Sequence, residues 1–229
     1  MKYIIIPARG GSKGIPKKNL KKVGGVSLVE WSIIHAKYIS NKNDCIIVTS
    51  DSKDILQIAR EMGVIDLHRP DSLSSDEVFT EPVMEHALEK YSPKNDDLIV
   101  LLQPTSPLRK KETLKQSIEL VENGTADSSV TLKNNHLFFW EQDGVFIKPK
   151  YSDRPRRQDM NPQYSETGSI YVTKYGHFKK TGIRLSGKTK PIICEDSESV
   201  DVDNLFDLNF VNFLVEDYLM EWKRELSEY

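Results

Sequence analysis

Residues 4–19 read IIIPARGGSKGIPKKN, an apolar run of strand length that leads directly into a loop with three glycines, one serine and four cations. The run Lys2–Pro7 predicts a buried parallel strand. Glycine tolerates unusual backbone angles and lets a ligand approach closely, so the loop can turn several N–H groups toward one point. The cations make that point attractive to phosphate. The stretch therefore predicts a strand that ends in a phosphate-binding loop.

Strands and helices alternate along the rest of the chain. Ser27 is placed to cap a helix that runs to about Ser40, and the apolar strand Cys45–Thr49 follows it. Asp97–Gln103 and Asp127–Leu132 are later strands, again separated by helical patterns. The alternation indicates βαβ units, and hence an α/β fold with a mostly parallel sheet flanked by helices.

Three polar segments are expected at one edge of this sheet, since ligands in such folds bind outside the C-terminal strand ends. They are the Arg9 loop, Thr49-Ser50-Asp51 and the segment 103–107.

Residues 134–167 break the alternation. This segment contains Phe138-Phe139-Trp140, then Asp143-Gly144, then several prolines and cations. A hairpin that turns at Asp143-Gly144 is expected. An apolar hairpin without a covering helix is a candidate subunit interface, although a surface excursion that packs on its own domain is the alternative.

Composition excludes several classes of protein. The 229 residues are 38% hydrophobic and 29% charged, as in an ordinary globular chain. A net charge of −2 argues against bulk nucleic-acid binding, and no apolar run approaches membrane-spanning length. The two cysteines form neither a metal motif nor a disulfide framework. With no signal peptide recognised, the expected location is the cytoplasm, with no nucleic-acid or membrane partner.

A second candidate group lies near the other end of the chain, in Ser199-Val200-Asp201-Val202-Asp203. On an extended segment Asp201 and Asp203 point to one side, where two carboxylates repel each other unless a cation lies between them. Mg²⁺ usually takes one or two carboxylates together with substrate phosphates. Read alone, the cluster also fits an acidic surface patch. Together with the cationic loop, it predicts a site for a nucleoside triphosphate with Mg²⁺.

Five ordered blocks resemble the acylneuraminate cytidylyltransferases, also called CMP-sialic acid synthetases. The blocks run from residue 4 to about residue 210, nearly the whole chain. They are residues 7–19 (PARGGSKGIPKKN), 101–109 (LLQPTSPLR), 155–159 (PRRQD), 168–171 (GSIY) and 199–203 (SVDVD).

The resemblance implies a Rossmann-like α/β domain over residues 1–229, with the segment 134–167 as a β-hairpin dimerisation excursion of a homodimer. It also implies transfer of CMP from CTP to the anomeric hydroxyl of a nine-carbon 2-keto sugar acid, with release of pyrophosphate. By the same resemblance, Arg9 and Lys18 hold the triphosphate, and with Asp201 and Asp203 they form the catalytic set.

The other implied roles divide between the two substrates. The implied nucleotide-binding residues are Arg9, Gly10, Gly11, Ser12, Lys18, Asn19, Arg69 and Ser75. The implied sugar-acid residues are Gln103, Arg156, Thr167 and Tyr171, with Arg156 serving the neighbouring subunit. Asp203 is expected to bind Mg²⁺, and Asp201 to bind it too or to help deprotonate the attacking hydroxyl.

The chain departs from the family pattern in one block. Many bacterial members read Arg-Pro-Asn-Gly-Ala-Ile-Tyr where this chain has Ser165-Glu166-Thr167-Gly168-Ser169-Ile170-Tyr171. N-acetylneuraminate, legionaminate, pseudaminate and deaminated relatives therefore all stay open as substrates. A 3-deoxy-manno-octulosonate cytidylyltransferase and a non-catalytic CTP-binding module are the alternatives. A dehydrogenase is disfavoured because the Gly-x-Gly-x-x-Gly motif is missing after the first strand.

Overall fold

The strand that opens the chain lies inside the sheet. Strand β1 (Lys2–Pro7) has a neighbouring strand on each side in a seven-stranded sheet, and Ile4, Ile5 and Ile6 are completely buried. Alternate side chains of β1 enter two different apolar cores, because successive residues of a strand face opposite sides of the sheet. Both faces are therefore covered, as expected for a mostly parallel sheet.

The computed structural model describes residues 1–228. Its other strands are β2 (Lys22–Val23), β3 (Val26–Ser27), β4 (Cys45–Ser50), β5 (Ile65–His68), β6 (Leu98–Leu102), β7 (Ser128–Asn135), β8 (Trp140–Asp143), β9 (Phe146–Pro149), β10 (Gln163–Lys174) and β11 (Thr189–Ile193). Its helices are α1 (Leu28–Ile39), α2 (Lys53–Glu61), α3 (Thr80–Leu88), α4 (Lys111–Glu122), α5 (Tyr175–Thr181), α6 (Leu205–Glu221) and α7 (Lys223–Leu226).

The sheet has the strand order β11-β7-β10-β6-β1-β4-β5. Its ladders are parallel except for the two made by β10, which runs antiparallel to both β6 and β7. The predicted mostly parallel α/β sheet is confirmed. Helices α1, α2, α4 and α6 supply residues to one core, and α3 and α5 supply residues to the other.

Strand β10 is irregular where it passes the edge of the sheet. Its register against β7 shifts between Glu166 and Tyr171, and Gly168 within that gap has a φ of 71°. Glycine adopts this left-handed conformation without the steric cost that a side chain brings. The irregularity turns the residues around it away from the regular ladder.

Several element boundaries differ from the sequence expectations. Strand β7 extends beyond the expected Asp127–Leu132, to Asn135, and β10 begins at Gln163, where it pairs with Asn135. The segment that connects β7 to β10 is therefore residues 136–162. The expected hairpin forms there, with Asp143 paired to Phe146 across the turn.

None of the helices in residues 1–228 combines the length and the apolar character needed to cross a membrane.

Candidate active site

Three strand-end loops meet at one edge of the sheet and are tied together by the backbone. The N–H of Ala8, just after β1, donates to the carbonyl of Thr49 in β4 at 3.0 Å. The N–H of Arg69, just after β5, donates to the carbonyl of Ser50 at 2.8 Å. The N–H of Gly10 donates to Asp51 Oδ1 at 2.7 Å. The loop after β1 therefore leaves the sheet in a fixed direction.

A cavity of about 300 Å³ opens at this edge, and we call it the loop cavity. It collects residues from the predicted nucleotide, acceptor and acidic groups. The predicted residues that line it are Arg9, Gly11, Ser12, Lys18, Asn19, Arg69, Ser75, Gln103, Asp201 and Asp203. Gly10 is not among its lining residues, because the Gly10 N–H turns toward Asp51.

Lys17 shapes the end of the glycine loop. Its φ is 52°, which lies in the left-handed region. Among residues 1–228, Lys17 is the only non-glycine residue with a positive φ. Such a conformation costs energy and persists only where the surroundings enforce it. The turn leads into the short helical segment Lys18–Leu20, where Asn19 Nδ2 donates to the carbonyl of Arg9 at 2.8 Å. The two ends of the loop are thus held together.

Every cation of the loop is paired with a carboxylate. Arg9 and Lys13 share Asp76, with Lys13 Nζ at 3.2 Å from Asp76 Oδ2. Lys18 Nζ lies 2.9 Å from Asp203 Oδ1. Lys17 pairs with Asp54 at 3.1 Å, on the exposed side of the loop. An anion that enters the loop cavity must therefore displace Asp76 and Asp203 from these cations.

Arg69 is a buried cation with unused hydrogen-bonding capacity. Its side chain is 4% exposed, and Nε and Nη2 have no partner among the described residues. Burial lowers the pKa of Arg69, and the charge of Arg9 adds to that effect while Asp51 opposes it. Two unpaired donors on a buried guanidinium beside a cavity favour a polar ligand there.

Asp201 and Asp203 lie on a segment that is anchored on both sides. Val202 between them is fully buried, and its N–H donates to the carbonyl of Thr105 at 2.8 Å. The N–H of Asp203 donates to Asp207 Oδ2 at 2.9 Å, at the start of α6. Since Val202 enters the core, both carboxylates face the edge of the sheet, as the alternation predicts.

The two carboxylates differ in environment. Asp203 is largely exposed, whereas Asp201 Oδ1 is buried and has no hydrogen-bond partner among residues 1–228. Burial raises the pKa of Asp201, a hydrogen bond from Thr105 lowers it, and the charge of Asp203 raises it further. An unpartnered carboxylate oxygen next to a second carboxylate fits a cation ligand. No group of three or more His, Cys, Asp or Glu in the described chain is arranged to hold a metal alone.

The glycine loop and the acidic segment touch directly at Gly14. A Cβ placed on Gly14 would lie 2.1 Å from the carbonyl oxygen of Asp203. No side chain fits at that distance, so glycine is required for this approach. The contact fixes the distance between the loop cations and the acidic pair.

A second cavity, of about 690 Å³, lies on the other side of the acidic pair, and we call it the strand cavity. Asp201 and Asp203 line both cavities. Thr167 and Tyr171, two of the predicted sugar-acid residues, line the strand cavity only, with Lys133 of β7 and Glu166 of β10. The predicted site residues therefore separate into two compartments that share one pair of carboxylates.

Thr167 and Tyr171 are held by neighbours within the described chain. Thr167 Oγ1 is 2.7 Å from Thr131 Oγ1, and the Tyr171 hydroxyl donates to Glu166 Oε2 at 2.7 Å. Burial and the bond to Glu166 raise the pKa of Tyr171. Both side chains shape the wall of the strand cavity.

Comparison with known proteins gives a family that fits this geometry. A family model described as Cytidylyltransferase matches residues 3–175. The chain belongs to the cytidylyltransferase family. It is therefore a nucleotidyltransferase by family.

Curated relatives narrow the family further. The chain is 30% identical over 227 residues to "Post-translational flagellin modification protein B" of Campylobacter coli, covering 95% of this chain and 96% of the relative. It is 30% identical over 221 residues to "CMP-N,N'-diacetyllegionaminic acid synthase" of Legionella pneumophila, covering 93% and 95%. It is also 30% identical to an N-acylneuraminate cytidylyltransferase of Streptococcus agalactiae, covering 96% of this chain and 54% of that protein.

Solved structures support the fold. A CMP:2-keto-3-deoxy-manno-octonic acid synthetase complexed with CTP superposes with a TM-score of 0.68 at 14% identity, covering 95% of this chain and 99% of that one. A 2-C-methyl-D-erythritol 4-phosphate cytidylyltransferase from Francisella tularensis gives a TM-score of 0.67 at 14% identity, covering 93% and 98%. At this identity the likeness concerns the fold alone, and the predicted Rossmann-like α/β fold is confirmed.

Arg109 joins the two halves of the cytidylyltransferase sheet below the cavities. Its buried guanidinium donates to the carbonyl of Ser169 at 3.0 Å and to the carbonyl of Gln103. Nη1 also lies 3.2 Å from His35 Nδ1. Burial lowers the pKa of both Arg109 and His35. Gln103 and the irregular part of β10 are thereby held in one position.

Arg156, like Gly10, is a predicted site residue that lines neither cavity. It is exposed and precedes a short helical segment within residues 136–162. The hairpin β8–β9 in the same interval pairs only with itself in the described chain, and Val145, Phe146 and Ile147 are more than two-thirds exposed.

Sequence reasoning expected Asp51 at this edge and Gly14 in the loop, but it assigned no individual role to four residues of this cytidylyltransferase site. Asp51 and Asp76 hold the loop, Gly14 contacts the acidic segment, and Lys133 enters the strand cavity. The position of Asp51, directly after a strand, was an available signal. The cations that Asp76 binds, and the acids that line the strand cavity with Lys133, lie far away in the sequence, so no local pattern marks these two residues.

Proposed function

We propose that the chain transfers CMP from CTP to the anomeric hydroxyl of a nonulosonic, sialic-acid-like sugar acid and releases pyrophosphate. The observation that carries the proposal is the pair of cavities on either side of Asp201 and Asp203. One is lined by the cationic glycine loop, which suits a triphosphate, and the other is large enough for a sugar acid. Relatives named as legionaminic acid and N-acylneuraminate enzymes support the acceptor class.

The loop cavity is proposed to hold CTP. Arg9 and Lys18 bind the triphosphate once their carboxylate partners are displaced, and Ser12 and Asn19 line the pocket beside them. Arg69, with two unpaired nitrogen atoms, and Ser75 face the cytosine and its ribose. Gly11 lets the backbone approach the ligand, and Gly10 beside it, predicted to bind the nucleotide, fixes the course of the loop through its bond to Asp51.

The strand cavity is proposed to hold the acceptor, with Gln103 reaching it from the loop cavity and Thr167 and Tyr171 lining it. The anomeric oxygen attacks the α-phosphorus in line. The bond from that phosphorus to the bridging oxygen of the β-phosphate breaks, and pyrophosphate leaves with the electron pair. Arg9 and Lys18 stabilise the charge that grows on the phosphoryl oxygens. Asp201, whose pKa is raised, is placed to accept the hydroxyl proton.

A divalent cation, with Mg²⁺ as the proposed ion, is assigned to Asp201 and Asp203. Two carboxylates with one unpartnered oxygen match the usual protein contribution to Mg²⁺, which takes its other ligands from phosphates and water. When bound, the ion would neutralise charge on the phosphates. The carboxylate of Asp203 would then leave Lys18, which frees that cation for the triphosphate.

A homodimer is proposed from the exposed hairpin. Val145, Phe146 and Ile147 form an apolar surface on a segment that packs on no other strand of the described chain. A second copy that covers this hairpin would bring the neighbouring Arg156 toward another site. We propose that residues 1–229 form one nucleotidyltransferase domain with one excursion. The sequence predicts this excursion over 134–167, and in the structure the segment between β7 and β10 is 136–162.

A mass measurement in solution tests the homodimer: a dimer is expected, and a monomer at assay concentrations contradicts the proposal.

The test of the function is pyrophosphate release from CTP against a panel of nonulosonic acids, with and without Mg²⁺. We expect release that depends on both CTP and one class of nine-carbon acid, and that stops when the metal is chelated. Release with 3-deoxy-manno-octulosonate alone would favour the alternative acceptor. Binding of CTP without release in the presence of any acid would indicate a non-catalytic module.

A further inference from the structure

The strand cavity has an unusual balance of charge. Its acidic lining residues are Glu166, Asp196, Asp201, Asp203 and Asp207. Lys133 of β7 is the only cation among its described lining residues. An anionic sugar acid would enter this cavity against five carboxylates. Its own carboxylate therefore needs a positive partner there.

Three of the five carboxylates are already engaged by other groups. Glu166 Oε2 accepts the hydrogen bond of the Tyr171 hydroxyl at 2.7 Å. Asp207 Oδ2 accepts the N–H groups of Asp203 and Asn204 at 2.9 and 3.0 Å. Asp203 pairs with Lys18 at 2.9 Å. Three acids of the cavity thus already contact other groups of the protein, and none of these contacts involves Lys133.

Lys133 itself is half-buried and forms no side-chain hydrogen bond or ion pair with any residue from 1 to 228. Its backbone is fixed, since Lys133 pairs with Ser165 of β10 in the antiparallel ladder, directly before the irregular stretch. The loop cations all have carboxylate partners, so Lys133 differs from them in being free to meet a ligand. A half-buried, unpaired ammonium beside a ligand cavity is placed to bind an anion.

We propose that Lys133 binds the carboxylate of the sugar-acid acceptor and thereby selects acids over neutral sugars. The inference rests on the proposed function and deepens it, because it assigns one recognition group to the acceptor side. Ser165, across the ladder, carries no charge, so the cation on this wall of the cavity comes from β7. The contact orients the acceptor, while Asp201 and Asp203 act at the reacting hydroxyl.

The test compares the KM values of two enzymes, each measured with two acceptors. Wild type and Lys133→Met are assayed with the best acid of the panel and with its methyl ester, which keeps the anomeric hydroxyl and lacks the charge. For the acid, Lys133→Met should raise KM about 10- to 100-fold, the range expected for a hydrogen bond to a charged group. The KM for the ester and the KM for CTP should be unchanged, and Lys133→Arg should restore much of the affinity for the acid.

The matched control is Lys190→Met, which removes an exposed lysine on the adjacent strand β11 and should leave every parameter unchanged. Thermal unfolding of each variant checks that the sheet is intact. An equal rise in KM for acid and ester, or no rise for the acid, overturns the assignment of Lys133 while the function stands. No turnover by wild type with any acid overturns both.

Discussion

The loop cavity and the strand cavity are built in opposite ways. The cationic wall of the loop cavity is one continuous segment, residues 8–19, set on the end of a parallel strand, and all four cations of that segment are already paired. The strand cavity is assembled from β7, the irregular part of β10 and the segment before α6, and its single cation is unpaired. A phosphate site can be encoded locally, whereas an acceptor site here depends on how distant segments meet.

The two cavities communicate through a few fixed contacts. Asp201 and Asp203 line both, Gly14 brings the loop against the backbone of Asp203, and Arg109 holds the carbonyls of Gln103 and Ser169. Variants at these contacts should affect the reaction of both substrates. Variants within one cavity should affect one substrate.

The largest effects are expected at the groups that act on the phosphoryl group. Asp203→Ala and Arg9→Ala should each lower kcat by at least about 10²–10³-fold, because the first removes a ligand of the proposed cation, which both cavities share, and the second removes a positive charge beside the triphosphate. Steady-state kinetics with both substrates measures this. Asp54→Asn, which removes an exposed partner of Lys17, is the control and should keep near-normal turnover. Comparable turnover in Asp203→Ala and Asp54→Asn would refute the shared role of the acidic pair.

A methyl group at Gly14, where the glycine loop contacts the backbone of Asp203, should also lower the rate of the reaction. Gly14→Ala must push the loop away from the Asp203 carbonyl, and a displacement of about 1 Å can cost roughly 10²-fold in rate. We expect kcat to fall with both substrates while the fold survives, as thermal unfolding will report. Unchanged kcat in this variant would mean that the spacing of loop and acidic segment does not matter.

The stability of the ligand-free chain should depend on pH through Asp201. Burial raises the pKa of Asp201, so the folded chain binds more protons than the unfolded chain and its stability falls as pH rises through that range. The unfavourable contribution is present at neutral pH and disappears as pH falls toward the ordinary value of 3.8. Asp201→Asn should therefore raise the Tm of the ligand-free chain at neutral pH while it lowers activity. Each ~1 kcal/mol corresponds to about 2–4 °C in a chain of this size.

The increase in Tm that Asp201→Asn gives at neutral pH should become smaller in acid. Thermal unfolding of both proteins between about pH 4 and pH 8 measures this change. Asp203→Asn is the matched variant and should show no such stabilisation, since Asp203 is exposed and paired with Lys18. A lower Tm for Asp201→Asn at neutral pH would contradict the conclusion that the buried, ionised carboxylate of Asp201 lowers the stability of the ligand-free chain.

The smallest effect is expected at the loop entrance. Asp76 competes with phosphate for Arg9 and Lys13, so Asp76→Asn should tighten CTP binding by about two- to fivefold, the size of an exposed ion pair. Calorimetric titration with CTP measures this, and the difference should narrow as salt is raised. Weaker binding in the variant would show that Asp76 helps to hold the nucleotide.

The sequence predicted the fold and the loop cavity well, for a physical reason. A buried strand such as Lys2–Pro7 and a glycine loop are local patterns, and parallel strand ends always share an edge. That Asp201 and Asp203 face the same edge followed from the alternation of Val202 with its neighbours. These features need no knowledge of distant contacts.

The acceptor side could not be predicted in the same way. The irregular register between Glu166 and Tyr171 depends on β7 extending to Asn135, and neither was visible in the local pattern. Lys133 looks like any strand lysine until Glu166, Asp201 and Asp207 are brought around the same cavity. Arg156 stays a prediction, since its proposed role depends on a second copy of the chain.

The most direct test of the central claim uses CTP labelled at the α-phosphate, incubated with Mg²⁺ and the panel of nonulosonic acids. We predict that the label moves to the sugar acid as a CMP conjugate, with one pyrophosphate released for each conjugate formed. Label that stays in CTP with every acid, or that appears as free CMP without a conjugate, would contradict the account.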